Sequence, residues 1–219
     1  MSKTQVNEID RNIYDIKNKD DYEFKMQKGL SREIVEQISK RKNEPDWMLE
    51  IRLKALEMYE KLELPTWGPD LSELKMDEIA TYVKPKTNLN SSWEDVPDEI
   101  KNTFDKLGIP EAEKTSLAGV GAQYDSEVVY HSMKEDLIKQ GVIYTDMESA
   151  VRDYPEIVKE HYMKCVPIYD DKFVALHGAV WSGGSFVYVP KGVSVALPLQ
   201  SYFRLNAPGA GQFEHPFMI

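Results

Sequence analysis

Apolar residues in the front of the chain recur at helical spacing, whereas those in the last part gather in short β-branched and aromatic runs. Leu30, Ile34 and Ile38 repeat every fourth residue behind Ser31, whose hydroxyl is placed to accept from a free N–H at a helix start. A second helix begins at Pro45, because a proline in a first turn lacks only an N–H that would go unused. It carries Met48, Ile51, Ala55, Tyr59 and Leu62 on one face, with Glu50–Lys54 and Glu57–Lys61 paired four apart on the other. Pro65, Gly68 and Pro69 end it. Residues 88–92 form an irregular connection, a short helix runs from near Pro97 to Gly108, and Pro110 starts another turn. Val129, Met133 and Leu137 predict a helix from about Ser126 to Lys139, closed by Gly141, with Gly119 and Gly121 in the loop before it. Thr145 and Glu148 have the form of a capping box, and Pro155 restarts a helix toward Met163.

The pattern then changes. Phe173–Trp181, Phe186–Val189, Val193–Leu199 and Tyr202–Leu205 predict strands, separated by turns at Gly183-Gly184, at Pro190–Gly192 and from Asn206 to Gly211. The first of these runs is almost continuously apolar, which suits a strand covered on both faces. The lack of a helical pattern between the strands argues against a doubly wound sheet and favours a sandwich or a β-solenoid. The expected organisation is α+β: a mobile polar tail over 1–20, a helical N-terminal domain over 21–166, and a strand-rich region over 167–219.

Charge sharpens that boundary. Of the 27 basic and 37 acidic residues, only Lys191, Arg204 and Glu214 lie beyond Lys172, and the net charge is −10. An acidic chain of this kind is a poor ligand for nucleic acid or for an anionic membrane surface. No basic and apolar leader opens the sequence, no run is long enough to span a bilayer, and the single Cys165 cannot form an internal disulfide. These features predict a cytoplasmic protein.

Five stretches carry a resemblance: KNEPDWMLEIRLKAL at 42–56, WEDVPDEIKNTFDKLGIPEAE at 93–113, AGVGAQYDSEVVYH at 118–131, AVWSGGSFVYVPKGV at 179–193 and LQSYFRLNAPGAGQFE at 199–214. In order and content they resemble the N-terminal part of the SufB/SufD family of iron–sulfur cluster assembly scaffolds. The resemblance implies that residues 167–219 are the first rungs of a right-handed parallel β-helix. It also implies a scaffold rather than an enzyme, with partners that include the SufD paralogue, the ABC-type ATPase SufC, a cysteine desulfurase with its sulfur carrier, and acceptor apoproteins. The iron–sulfur cluster would be a transient cargo of the full-length protein, with none held by this stretch alone. Family members are much longer, and their cluster-handling cysteines and SufC-binding segment fall later. After Glu214 the family continues with a basic residue and an aliphatic strand, where this chain has His215-Pro216-Phe217-Met218-Ile219. The expectation is therefore a truncated β-helix.

Several residues are candidate sites. The resemblance places Arg204 and Asn206 on a β-helix strand with polar groups turned inward, so they line a path for sulfur or iron or satisfy a turn. Cys165 has the chemistry of a cluster ligand, and His161 stands four residues before it, on one face of a continuing helix. A cluster needs about four ligands, however, so a small buried hydrophobe is the preferred reading of Cys165. His177 reads as a surface or turn histidine and His131 as a surface residue of a helix. Two other functions fit the same texture. One is a helical protein-interaction module with a small β tail. The other is a polysaccharide-acting β-helix enzyme, against which Glu214 is the only acid in the β region.

Overall fold

A computed structural model describes residues 22–87, 89–90, 92–106, 117–205 and 207–219. The expected tail over 1–20, the turn at Pro110 and the candidate Asn206 lie outside these residues. The described elements run β1 (Tyr22–Lys25), α1 (Arg32–Arg41), α2 (Asp46–Lys61), β2 (Val83–Pro85), α3 (Asp98–Lys106), β3 (Gly119–Tyr124) and β4 (Glu127–Met133). Then follow α4 (Glu135–Lys139), β5 (Ile143–Asp146), α5 (Met147–Asp153), α6 (Pro155–His161), α7 (Lys172–Val180), β6 (Ser185–Tyr188), β7 (Leu199–Arg204) and β8 (Phe217–Met218).

The amphipathic helices form where their periodicity places them. Ser31 caps α1 by accepting from the Ile34 N–H, and α1 buries Ile34, Val35 and Ile38. Each such side chain stabilises the fold by roughly 1.5–3 kcal/mol. Pro45 holds the N-cap of α2, and Pro155 the first turn of α6.

Four local expectations are corrected; one is the strand expected over Val193–Leu199, where only Leu199 is strand, as the first residue of β7. The stretch expected as a helix over 126–139 is mostly strand: β3 and β4 form an antiparallel hairpin, and only α4 is helical. Asp125 makes the turn at φ 52°, a conformation that short polar side chains tolerate. The run Phe173–Trp181 is helix α7, not strand. Asp171 caps it, accepting from the N–H groups of Phe173 and Val174. A short, continuously apolar run fits a buried helix as well as a buried strand, and here the cap decides. Finally, Asp146 rather than Thr145 caps α5. The N-terminal region is thus not purely helical: β1 to β5 lie within it, and the chain is mixed α and β.

Three small sheets are present among the described residues: β1-β2, β4-β3-β7 and β5-β6-β8. In each three-stranded sheet, an antiparallel pair gains a parallel strand from later in the chain. Gly119 to Tyr124 align with Leu199 to Arg204, and Phe186 and Val187 with Phe217 and Met218. Both sheets therefore join strands from either side of residue 166.

Three apolar clusters fill the interior. The first packs α1, α2 and α7 around Ala55, Leu56, Leu176 and Val180. The second packs α3 on the β3–β4 hairpin through Ile100, Phe104 and Val129. The third joins Met48 of α2 to Met147, Val151, Trp181 and Phe186. Helices α2 and α7 cross closely at Gly178, where an added Cβ would stand 3.0 Å from the Ala55 Cβ. At Gly119 it would meet the Tyr144 ring at 2.7 Å and the Ser132 carbonyl oxygen at 2.9 Å. Gly119 and Gly121 are thus strand residues under a tyrosine.

Candidate functional site

Helix α6 stops at His161, and the chain turns through Met163 at φ 50° before reaching Cys165. His161 and Cys165 therefore do not share a helical face. They do line the same cavity, of about 470 Å³, together with Phe173, His177, His215 and Phe217. Cys165 is exposed, which overturns its reading as a buried hydrophobe.

The opposite wall is built by long-range contacts. His177, on α7, meets His215 just before β8, with Nε2 and Nδ1 2.7 Å apart, so one ring donates its N–H to the other. His177 is thus a largely enclosed helix residue rather than a surface one. Burial and the nearby Arg52 charge lower its pKa to about 4; burial, His177 and Arg52 lower that of His215 to about 3. Both rings are neutral at ordinary pH. The His215 ring also lies against Tyr162, Trp181 and Phe217, with centroids 5.0–5.8 Å apart.

A charged framework holds this wall in place. Arg52 is fully buried and forks onto Glu44, with Nε to Oε2 at 2.8 Å and Nη2 to Oε1 at 2.5 Å. It also donates to the carbonyls of Ala179 and Trp181 at the end of α7 and lies over the Trp181 ring. Burial opposes its charge, but attraction to Glu44 outweighs this and holds its pKa above the ordinary arginine value. Beside it, buried Lys42 contacts Glu148 at 2.5 Å and Glu127 at 3.3 Å. Burial disfavours both members of the Lys42–Glu148 pair. Their mutual attraction wins, raising the lysine pKa and lowering that of the glutamate. Glu148 also accepts from the Gly183 N–H at 2.6 Å, and Gln123 from the Gly184 N–H at 2.8 Å. These bonds fix the Gly183-Gly184 turn, whose φ values of 75° and 109° suit glycine. The Gly183 carbonyl in turn accepts from the His215 N–H. A chain of contacts thus runs from Lys42 through Glu148 and Gly183 to the histidine pair.

With both rings neutral, one N–H is spent between them, and the donating ring's other nitrogen keeps a lone pair that can accept a proton or meet a cation. Among the described residues no group of three His, Cys, Asp or Glu side chains is arranged to hold a metal ion. Arg204 stands elsewhere, at the end of β7 opposite Tyr124, half-buried, its carbonyl accepting from the Asp125 N–H. It does not line the cavity that Cys165 and His161 share. His131, expected on a helix surface, lies on β4 against Tyr144, with ring centroids 4.6 Å apart. Burial lowers its pKa to about 4.

The family model described as SufBD protein N-terminal region matches residues 30–201. The chain belongs to this family. This SufBD chain is 55% identical over 206 residues to the iron–sulfur cluster assembly protein SufB of Bacillus subtilis, covering 94% of the chain and 44% of that relative. It is 55% identical over 196 residues to an iron–sulfur cluster assembly SufBD family protein of Staphylococcus haemolyticus. A Staphylococcus aureus SufBD family protein is 53% identical over the same length; each staphylococcal match covers 90% of this chain and 42% of the relative. The SufBD chain thus spans under half the length of the curated relatives it matches. Among its described residues no helix is long and apolar enough to cross a membrane. The His177–His215 pair had no signal in sequence spacing, because residues 38 positions apart meet only through the fold.

Proposed function

We propose that this chain is the N-terminal part of a SufB-type scaffold, a non-enzymatic subunit on which iron–sulfur clusters are assembled as cargo and passed to acceptor apoproteins. The observation that carries the proposal is the 55% identity to Bacillus subtilis SufB across 94% of the chain. In this reading the protein works in the cytoplasm with SufD, the SufC ATPase, and a cysteine desulfurase with its sulfur carrier. The parallel pairing β6–β8 supports the start of a right-handed β-helix over residues 167–219, since successive rungs of such a helix pair in parallel. The longer relatives support later rungs beyond this chain. Arg204 and Asn206 then belong to a route for sulfur or iron along the β-helix, and Cys165 and His161 are minor candidates for transient metal contact.

The test is anaerobic assembly with the full-length host protein. Co-expression with SufC and SufD should give a complex that builds a cluster and transfers it to an apo-ferredoxin. A stable complex that never builds a transferable cluster would sink the scaffold reading. Within that assay Arg204→Met should slow cluster formation; an unchanged rate in a normally folded variant removes the path role.

A further inference from the structure

A second cavity, of about 220 Å³, opens on another face, between the end of α1, β2, β4 and the start of α5. Its lining is strongly charged, and most of those charges already have partners. Lys42 is held by Glu148 and Glu127, and Glu127 also accepts from the Tyr82 hydroxyl at 2.5 Å. Lys84 pairs with Glu23 at 2.8 Å. Asp146 accepts from the Ser149 N–H at 2.8 Å. Burial and the neighbouring Glu148 raise the Asp146 pKa, against the Ser149 hydrogen bond and the Arg152 charge, which lower it.

Two guanidiniums stand apart from this pairing. Arg41 lines the cavity and is exposed, with its guanidinium carbon over the Phe24 ring at 3.3 Å. Arg152 donates one N–H to the Lys42 carbonyl at 3.1 Å and one to the Ser149 hydroxyl at 3.1 Å. A guanidinium carries five N–H donors, so Arg152 keeps several in hand. Neither arginine has a carboxylate partner among the described residues. The bond from Arg152 to the Lys42 carbonyl sets its head beside the residue that follows Arg41. Two exposed arginines thus line one cavity of a chain of net charge −10.

We propose that this cavity binds a tetrahedral oxyanion, a phosphate or phosphoryl group, between Arg41 and Arg152. The planar forks of two arginines match such an anion better than point charges do. The acids of the lining, Glu127, Asp146 and Glu148, disfavour a deeply inserted anion and leave the exposed arginines as the favourable position. The site is separate from the cluster scaffold reading and stands or falls without it.

Calorimetric titration of inorganic phosphate into the purified protein at low ionic strength tests the site, with sulfate and adenosine diphosphate in parallel. Saturable binding at one site is expected, weakened about tenfold or more in Arg41→Ala and again in Arg152→Ala. Arg152→Lys, which keeps the charge, should retain part of the affinity. Thermal unfolding without phosphate serves as the folding check; the variants should still melt cooperatively, with small losses from the Arg152 hydrogen bonds and the Arg41–Phe24 contact. Tighter binding of the diphosphate than of phosphate identifies a phosphoryl group carried on a larger ligand, and equal or weaker binding a free anion. Absence of saturable binding overturns the proposal, as does an affinity unchanged in a folded Arg41→Ala/Arg152→Ala variant, which would mean an adventitious ion only.

Discussion

Replacing Arg52 with Met separates a buried ion pair that holds the fold together from one that is merely tolerated. The side chain is fully buried, and that of its partner Glu44 is 1% exposed. Met fills much of the same volume, so little cavity opens. What is lost is electrostatic: Glu44 stays buried without its counter-charge, and the Ala179 and Trp181 carbonyls lose their donor. An uncompensated buried charge costs about 3–5 kcal/mol, and the stranded carbonyls act in the same direction. The assay is urea unfolding followed by circular dichroism and tryptophan fluorescence, run as a double-mutant cycle with Glu44→Gln. The neutral amide removes the charge that Arg52→Met leaves behind, so the double variant should be less destabilised than the two single losses added together. A coupling of about 1–3 kcal/mol is expected. A loss below about 1 kcal/mol for Arg52→Met, the range of an exposed pair, would refute the reasoning. Strict additivity would refute it as well.

Other outcomes follow from the same packing. Lys42→Met should cost about 3–5 kcal/mol by leaving Glu148 charged and buried, and a second change, Glu148→Gln, should restore part of it while still accepting from Gly183; denaturant midpoints read both. His131, His177 and His215 have pKa values lowered to about 4, 4 and 3, so the fold favours their neutral forms. Their contribution is complete above the unfolded value of about 6.5 and is lost as pH falls from there toward 4 and below. Each should give up about 1 kcal/mol between pH 6.5 and 5.5. Urea midpoints across that window should flatten in His177→Asn, and an unchanged slope would clear that histidine. Gly119→Ala should lower stability by about 1–3 kcal/mol, because the new methyl meets the Tyr144 ring and the Ser132 carbonyl; a melting temperature equal to the parent would show that the tyrosine moves freely.

What could be read in the sequence follows from which forces are local. Helices α1 and α2 announce themselves because each has one wet and one dry face, and because Ser31 and Pro45 mark their starts. Helix α7 does not, since it packs against α1 and α2 in the first apolar cluster and has almost no polar face to give it a period. The four-residue spacing of Val129, Met133 and Leu137 runs from β4 into α4 and is accidental; the informative residue is Asp125, whose turn conformation no apolar pattern encodes. The family resemblance was legible in long stretches, and the comparison with SufBD relatives bears it out. The cavity with Cys165 was legible only as a pair of residues. Its second wall, His177 on His215, is assembled by the Gly183-Gly184 turn and by Glu148, from parts of the chain that share no local signal.

The way β7 and β8 join their sheets also fixes an order of events during synthesis. The β3–β4 hairpin needs only its own turn and can close as soon as it leaves the ribosome, within microseconds. The edge strand β3 must then wait, its backbone groups unpaired on one side, until Leu199–Arg204 has been made. At bacterial rates of about 5–20 residues per second, that exposure lasts several seconds. Strand β6 waits in the same way for Phe217 and Met218. Each nascent chain thus carries open strand edges for a time far longer than the hairpin takes to form, and in that interval a neighbouring nascent chain or a chaperone can reach them first.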